Sequence, residues 1–224
     1  EFLRRVSLDL IGVIPTVAET TTFLNSNDPQ KREQLIDKLL ADPRFAQHLT
    51  DLWDMIFFGR NPPGFDTEKR AGFQTWLMKQ FAENVPYDVW VRQLLKAEGN
   101  SLEHGAMYYV QYRNQPEDAS EALSQTFLGV QLQCARCHDH PFENWTQRDF
   151  YGMAAFLSRL EVVNVGKQDK LNIYAIGERN SGDIQFTGPA KNQQPGKKGE
   201  SIKPKFLSGD PLVEPALPAD FKEV

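Results

Sequence analysis

The chain has 224 residues, a formal net charge of −5 and an isoelectric point near 5.5. An apolar fraction of 40% with 11% aromatic residues suits one large core, or one domain with a smaller lobe. The acidic balance argues against generic nucleic-acid binding, which needs a basic field, and no run of about 18 apolar residues marks a membrane span.

Residues 1 to about 160 pattern mainly as helices. Phe2, Leu3, Val6 and Leu10 predict a short helix that ends near Gly12 and Pro15. Thr16-Val17-Ala18-Glu19 reads as a capping box, in which hydroxyl and carboxylate satisfy free amides at a helix start. Asp28-Pro29 is expected to open the next helix, with Leu35, Ile36, Leu39 and Leu40 on one face. Asp42-Pro43 repeats the device, an Asp cap followed by a Pro where no amide bond is lost. Phe45, Leu49, Leu52, Trp53 and Ile56 form that helix's stripe, which should stop near Gly59. A further helix is expected from about Glu68 to Glu83, carrying Phe73, Trp76, Leu77 and Phe81, with Gln80 the polar exception. Pro86-Tyr87-Asp88 separates it from a short helix with Trp90, Val91, Leu94 and Leu95, and Gly99 to Gly105 reads as a loop.

A helix beginning near Pro116-Glu117, with Ala119, Ala122, Leu123, Thr126, Phe127 and Val130, delivers the chain into Cys134. Thr146-Gln147-Arg148-Asp149 is a capping box with the shorter acid and opens a helix with Phe150, Tyr151, Ala154 and Leu157. Beyond Leu160 short alternation at 162–165, 171–176 and 184–187 predicts strands, with a hairpin turn at 178–183. The stretch 190–199 reads as a loop, and Ile202 to Leu207 would complete a small β-rich lobe. The expected fold class is therefore mainly α: a multi-helix domain at 1–160 and a small β-rich C-terminal lobe at 161–210. Residues 211–224 read as a linker toward a downstream domain. Residue 1 is Glu and the C-terminal stretch reads as a linker, so both ends read as cut from a longer chain and the lack of a visible signal peptide carries no weight.

Cys134-Ala135-Arg136-Cys137-His138, between two of these helices, contains both cysteines of the chain. C-x-x-C-H is the pattern of covalent haem c attachment. Each thiol adds across one vinyl group, and the adjacent imidazole of His138 binds the iron as an axial ligand. A helical turn brings these three groups to one side of the ring. Three rival readings use the same residues. Zinc would take Cys134 and Cys137 with His138 or His140, although zinc sites usually draw a second ligand pair from a distant segment. A redox C-x-x-C would be expected near a βαβ pattern, and none is found. A disulfide, or two unrelated cysteines, needs no cofactor at all.

His140 stands two positions after His138, too near in sequence for both imidazoles to reach one iron from opposite faces. Its candidate roles are a second metal site, a hydrogen bond near a propionate, orientation of the loop, or plain capping. Candidates for a sixth iron ligand are Met153, Met107, His104 and His48, of which Met153 also suits core packing. Arg136 reads as a solvated side chain or a propionate partner.

Longer blocks add a resemblance. Leu3 to Thr16 is similar to the opening "RRxxLDLxGxxPT" of the planctomycete (PSCyt-type) cytochrome-c-like domain of unknown function. Phe127 to Phe142 resembles its central "FLGxxxxCARCHDHxF" block, and Thr146 to Phe156 the "xQxDYYxLAAFF" stretch that follows. Asn84 to Leu95 also fits, so the likeness spans about residues 1–160. It implies a domain of large secreted or envelope proteins, many in polysaccharide-degrading bacteria, with haem c on Cys134, Cys137 and His138. It supplies no activity. Met153 stands where relatives often carry Leu, whereas His140 belongs to the shared block.

The leading expectation is a mono-haem electron-transfer domain in a periplasmic, secreted or cell-envelope protein, serving an attached C-terminal domain or a redox partner. One alternative is a redox enzyme of polysaccharide breakdown, using an open haem face or a second metal near His140. The other is a non-haem structural or binding module with a zinc site or a disulfide. No nucleic-acid partner is expected.

Overall fold

The computed structural model describes residues 1–59, 71–100, 109, 111–112, 114–168, 171–186, 188 and 199–213. Those residues are mainly helical, with eight α-helices and two small antiparallel sheets among them. None of these helices is long and apolar enough to cross a membrane. Contacts group the chain into two compact units, the first built on Glu1–Lys96 and the second on the described residues from Ala97 onward.

In the first unit α1 (Phe2–Ile11) ends where Gly12 turns left-handed at φ 71°. Gly12 is also a point of close approach, since a Cβ there would meet His48 Nδ1 at 2.5 Å. α2 (Val17–Asn25) starts from the expected capping box, with Glu19 N donating to Thr16 Oγ1 at 3.2 Å and Thr16 N to Glu19 Oε2 at 2.8 Å. α3 (Lys31–Leu40) begins later than Asp28-Pro29 suggests. The Asp28 carboxylate accepts from Gln30 N and its carbonyl from Lys31 N, so these residues form a turn before the helix. α4 (Pro43–Phe58) is capped by Asp42, whose Oδ1 accepts from Arg44 N at 2.9 Å, and it ends at Gly59 as expected.

α5 (Ala71–Ala82) and α6 (Tyr87–Leu95) complete this unit; the start expected near Glu68 lies outside the described residues. The core is aromatic. Phe73 meets Phe57 and Phe58 edge-on at 5.6 and 5.0 Å, and Trp53 meets Trp90 at 5.0 Å. Edge-to-face rings at such separations gain quadrupolar attraction beyond their buried area. Gln80, the polar exception, is buried and donates to the carbonyl of Trp76.

The second unit begins with β1 (Gly99–Asn100), a two-residue edge strand where a loop was expected. It pairs with β3 (Leu171–Glu178), which pairs in turn with β2 (Leu160–Gln168), all antiparallel. The β2–β3 register slips between Asn164 and Gly166, a bulge at Val165. β4 (Ile184–Phe186) pairs with β5 (Glu200–Ile202). The strand expected over 202–207 is thus shifted toward the N-terminus. Lys205 instead donates its amide to the Gly152 carbonyl at 3.0 Å. Between β1 and β2 lie two helices, α7 (Pro116–Leu123) and α8 (Gln147–Ala155). α7 does not continue as an α-helix to Val130. It widens into a π-turn at Ser124–Leu128 and stops at Gly129, whose φ is 67°.

Candidate functional site

Between α7 and α8 the chain makes a short 3-10 turn, Gln133–Arg136, that carries the cysteine pair. Its inward side chains anchor it. Leu132 and Ala135 are buried with Phe150 of α8, and Val130, Trp145, Met153 and Leu207 pack around them. Ala135, the small residue between the cysteines, is fully buried. The outward positions then fall to chemistry: Cys134 is half-buried, Cys137 and His138 are exposed, and both sulfurs are free thiols.

Hydrogen bonds fix the pentapeptide from both sides. Arg136 Nη1 contacts Asp118 Oδ1 at 2.7 Å and Glu121 Oε1 at 3.3 Å, both on α7. Arg136 thus spends Nη1 on two carboxylates of α7 while its side chain stays partly exposed. Burial works against its charge, yet the two carboxylates raise its pKa above the ordinary value. On the other side, the Arg136 carbonyl accepts from Gln147 Nε2 at 3.1 Å and from the Tyr151 hydroxyl at 3.5 Å. Burial raises the Tyr151 phenol above its usual pKa, so it remains a donor. The Asp139 carboxylate accepts the Gln147 amide at 2.9 Å, tying the residue after His138 to the start of α8.

The two histidines are set in opposite ways. His138 Nδ1 lies 2.7 Å from the Asp139 carbonyl oxygen. A carbonyl only accepts, so Nδ1 carries the proton and Nε2 keeps its lone pair for a metal. His140 Nδ1 accepts from the amides of Phe142 and Glu143, at 3.2 and 2.9 Å. The His140 amide closes the same loop on the Trp145 carbonyl at 2.8 Å. In the neutral ring Nε2 of His140 then carries the proton, and the side chain organises the 140–145 loop.

Among the described residues no three His, Cys, Asp or Glu side chains gather to hold a metal ion. A tetrahedral site would need such a group, whereas a haem brings its own four nitrogens and asks the chain for one axial imidazole and two thiols. Of the sixth-ligand candidates, Met153 is half-buried and packs in the cluster behind the motif. His48 lies in the first unit against Gly12. His104 and Met107 fall outside the described residues.

Sequence reasoning missed Asp118, Glu121, Asp139 and Gln147. Only opposite charge linked Arg136 to the first two, without any local spacing to mark them. A family model described as PSCyt2, protein of unknown function (DUF1549), matches residues 1–162. No curated protein and no solved structure matches the chain.

Proposed function

The chain belongs to the PSCyt2 (DUF1549) family, and from that premise we propose that its second unit carries a single covalently bound haem c and transfers electrons. Cys134 and Cys137 hold the group, each sulfur and its proton adding across one vinyl double bond, a step that needs no oxidant. His138 supplies the axial ligand. The observation that carries this reading is the state of His138: its Nδ1–H is spent on the Asp139 carbonyl, so Nε2 is the metal-binding nitrogen. Such outer hydrogen bonds orient a ligating imidazole and raise its basicity. Bound there, the haem supplies reversible one-electron chemistry. The chain's own residues hold the ligand, keep the turn rigid and leave one side open to a partner. That partner is an attached domain or a separate redox protein. The compartment is the periplasm, the cell envelope or the exterior, where thioether attachment takes place.

The test is co-production of the chain with a c-type maturation system in an oxidising compartment, followed by an intact mass and a pyridine haemochrome spectrum. An added haem mass that survives denaturation, with the c-type band, is expected. His138→Ala should keep the added mass and lose the native haem spectrum. A folded chain of unchanged mass would overturn the proposal and return the cysteine pair to zinc or thiol chemistry, which metal analysis would separate.

A further inference from the structure

The first unit contains a cleft of about 460 Å³ that its own helices do not fill. Protein interiors pack as densely as organic crystals, and a gap of this size falls in the range of small-molecule sites, about 300–1,000 Å³. Leu3 and Ile11 of α1, Phe23 of α2, and Leu35 and Leu39 of α3 wall it, so its floor is apolar. α2 contributes no buried residue. The face it turns toward α1 and α3 borders the cleft instead of a packed core.

Its charged lining is mainly cationic: Lys31, Lys38 and Arg44 stand against the one carboxylate of Glu19. That carboxylate accepts at Oε2 from Thr16 N and Oγ1, each at 2.8 Å, which lowers its pKa and ties this oxygen into the capping box. Lys31 donates to the carbonyls of Phe23 and Ser26 at 3.2 and 2.8 Å, closing the C-terminal end of α2. Arg44 is held by Asp42 at 2.6 Å. Lys38 is exposed and, among the described residues, makes no ion pair; it lies in the field of Glu19 and Asp42. It is the cation left to meet a ligand.

We propose that this cleft binds an aliphatic carboxylate of medium chain length, its tail on the apolar floor and its head at Lys38. The inference is independent of the haem reading. Apolar walls with a few placed polar groups give affinity from the tail and orientation from the head. A cleft filled by solvent alone, or one that takes any apolar solute, are the outcomes that oppose it.

Decanoate, titrated into the full chain below its micellar concentration and followed by calorimetry and amide chemical shifts, tests the proposal. Saturable one-site binding is expected, with shifts centred on residues 3–44. Ala18→Trp, on the exposed face of α2 at the cleft, should abolish binding by filling the space. Lys38→Glu should weaken decanoate by about tenfold or more, since a reversed charge acts close to the head, while leaving decanol binding unchanged. Absence of saturable binding would overturn the proposal, as would shifts centred elsewhere or equal loss of decanoate and decanol in Lys38→Glu. Should Ala18→Trp fail to fold, the surface change at Lys38 still decides the matter.

Discussion

His138 and His140 are chemically the same side chain, and the backbone around them gives each a different proton. One imidazole faces a carbonyl and keeps Nε2 for a metal; the other faces two amides and serves as a loop brace. Asp139 stands between them, and its carboxylate on the Gln147 amide fixes where its own carbonyl points. Asp139→Ala should lower the stability of the chain by about 1 kcal/mol, the net worth of one hydrogen bond. It should also reduce the Nδ1–H population of His138, read by ¹⁵N shifts of the ring. Asp139→Asn keeps an acceptor oxygen and should stay near the parent in both. Equal losses in the two variants, measured by urea unfolding, would sink this account. At this scale the grouping of Cys134, Cys137 and His138 about one turn was legible, because the motif is contiguous. Arg136 was not legible, because its partners lie 18 and 15 positions away on another helix. The loop-orienting role was one of four open for His140, and only the backbone amides that meet its Nδ1 select it.

Among the elements, the helix starts read most directly from sequence. Thr16 with Glu19, Asp42 with Pro43, and Thr146 with Asp149 all cap as expected, because capping is settled within four residues. Asp42 shows what such a cap is worth. The Arg44 guanidinium and amide hold its carboxyl at about 2, down from 3.8. A carboxyl with a lowered folded pKa contributes stability that is complete above the unfolded value and is lost as pH falls through the folded one. Thermal unfolding should therefore show a loss between about pH 4 and pH 2 that is smaller in Asp42→Asn, because Asn keeps the cap but carries no charge. Asp42→Ala should cost about 1 kcal/mol at neutral pH as well. An unchanged acid limb in Asp42→Asn would refute the assignment. Elements whose limits depend on distant partners were read less well. β1 exists only because Gly99 and Asn100 meet Ile176 and Ala175, and β5 only because it meets β4. The π-turn after α7 left no signal, since its apolar spacing matches that of an ordinary helix.

For the whole molecule, the change from helical to alternating patterning near residue 160 was legible, and it falls inside the second unit. The grouping of contacts around Lys96 was not, because Pro86-Tyr87 and Gly99 mark turns with equal strength. Each unit has its own core, aromatic in the first and centred on Leu132, Ala135 and Phe150 in the second. Within the first unit the helices are secured unequally. α1 and α4 are fastened along their lengths by buried side chains, but α2 is held by its capping box, by Lys31 and by Phe23 stacked on Phe2. It even leaves Val17 and Leu24 mostly in solvent. Local opening is governed by how much contact must be broken. The amides of α2 should thus take up deuterium well before those of α1 and α4, as a group rather than one by one. A helix that opens on its own in this way works as a door on the cleft it borders, swinging while the frame around it stays shut.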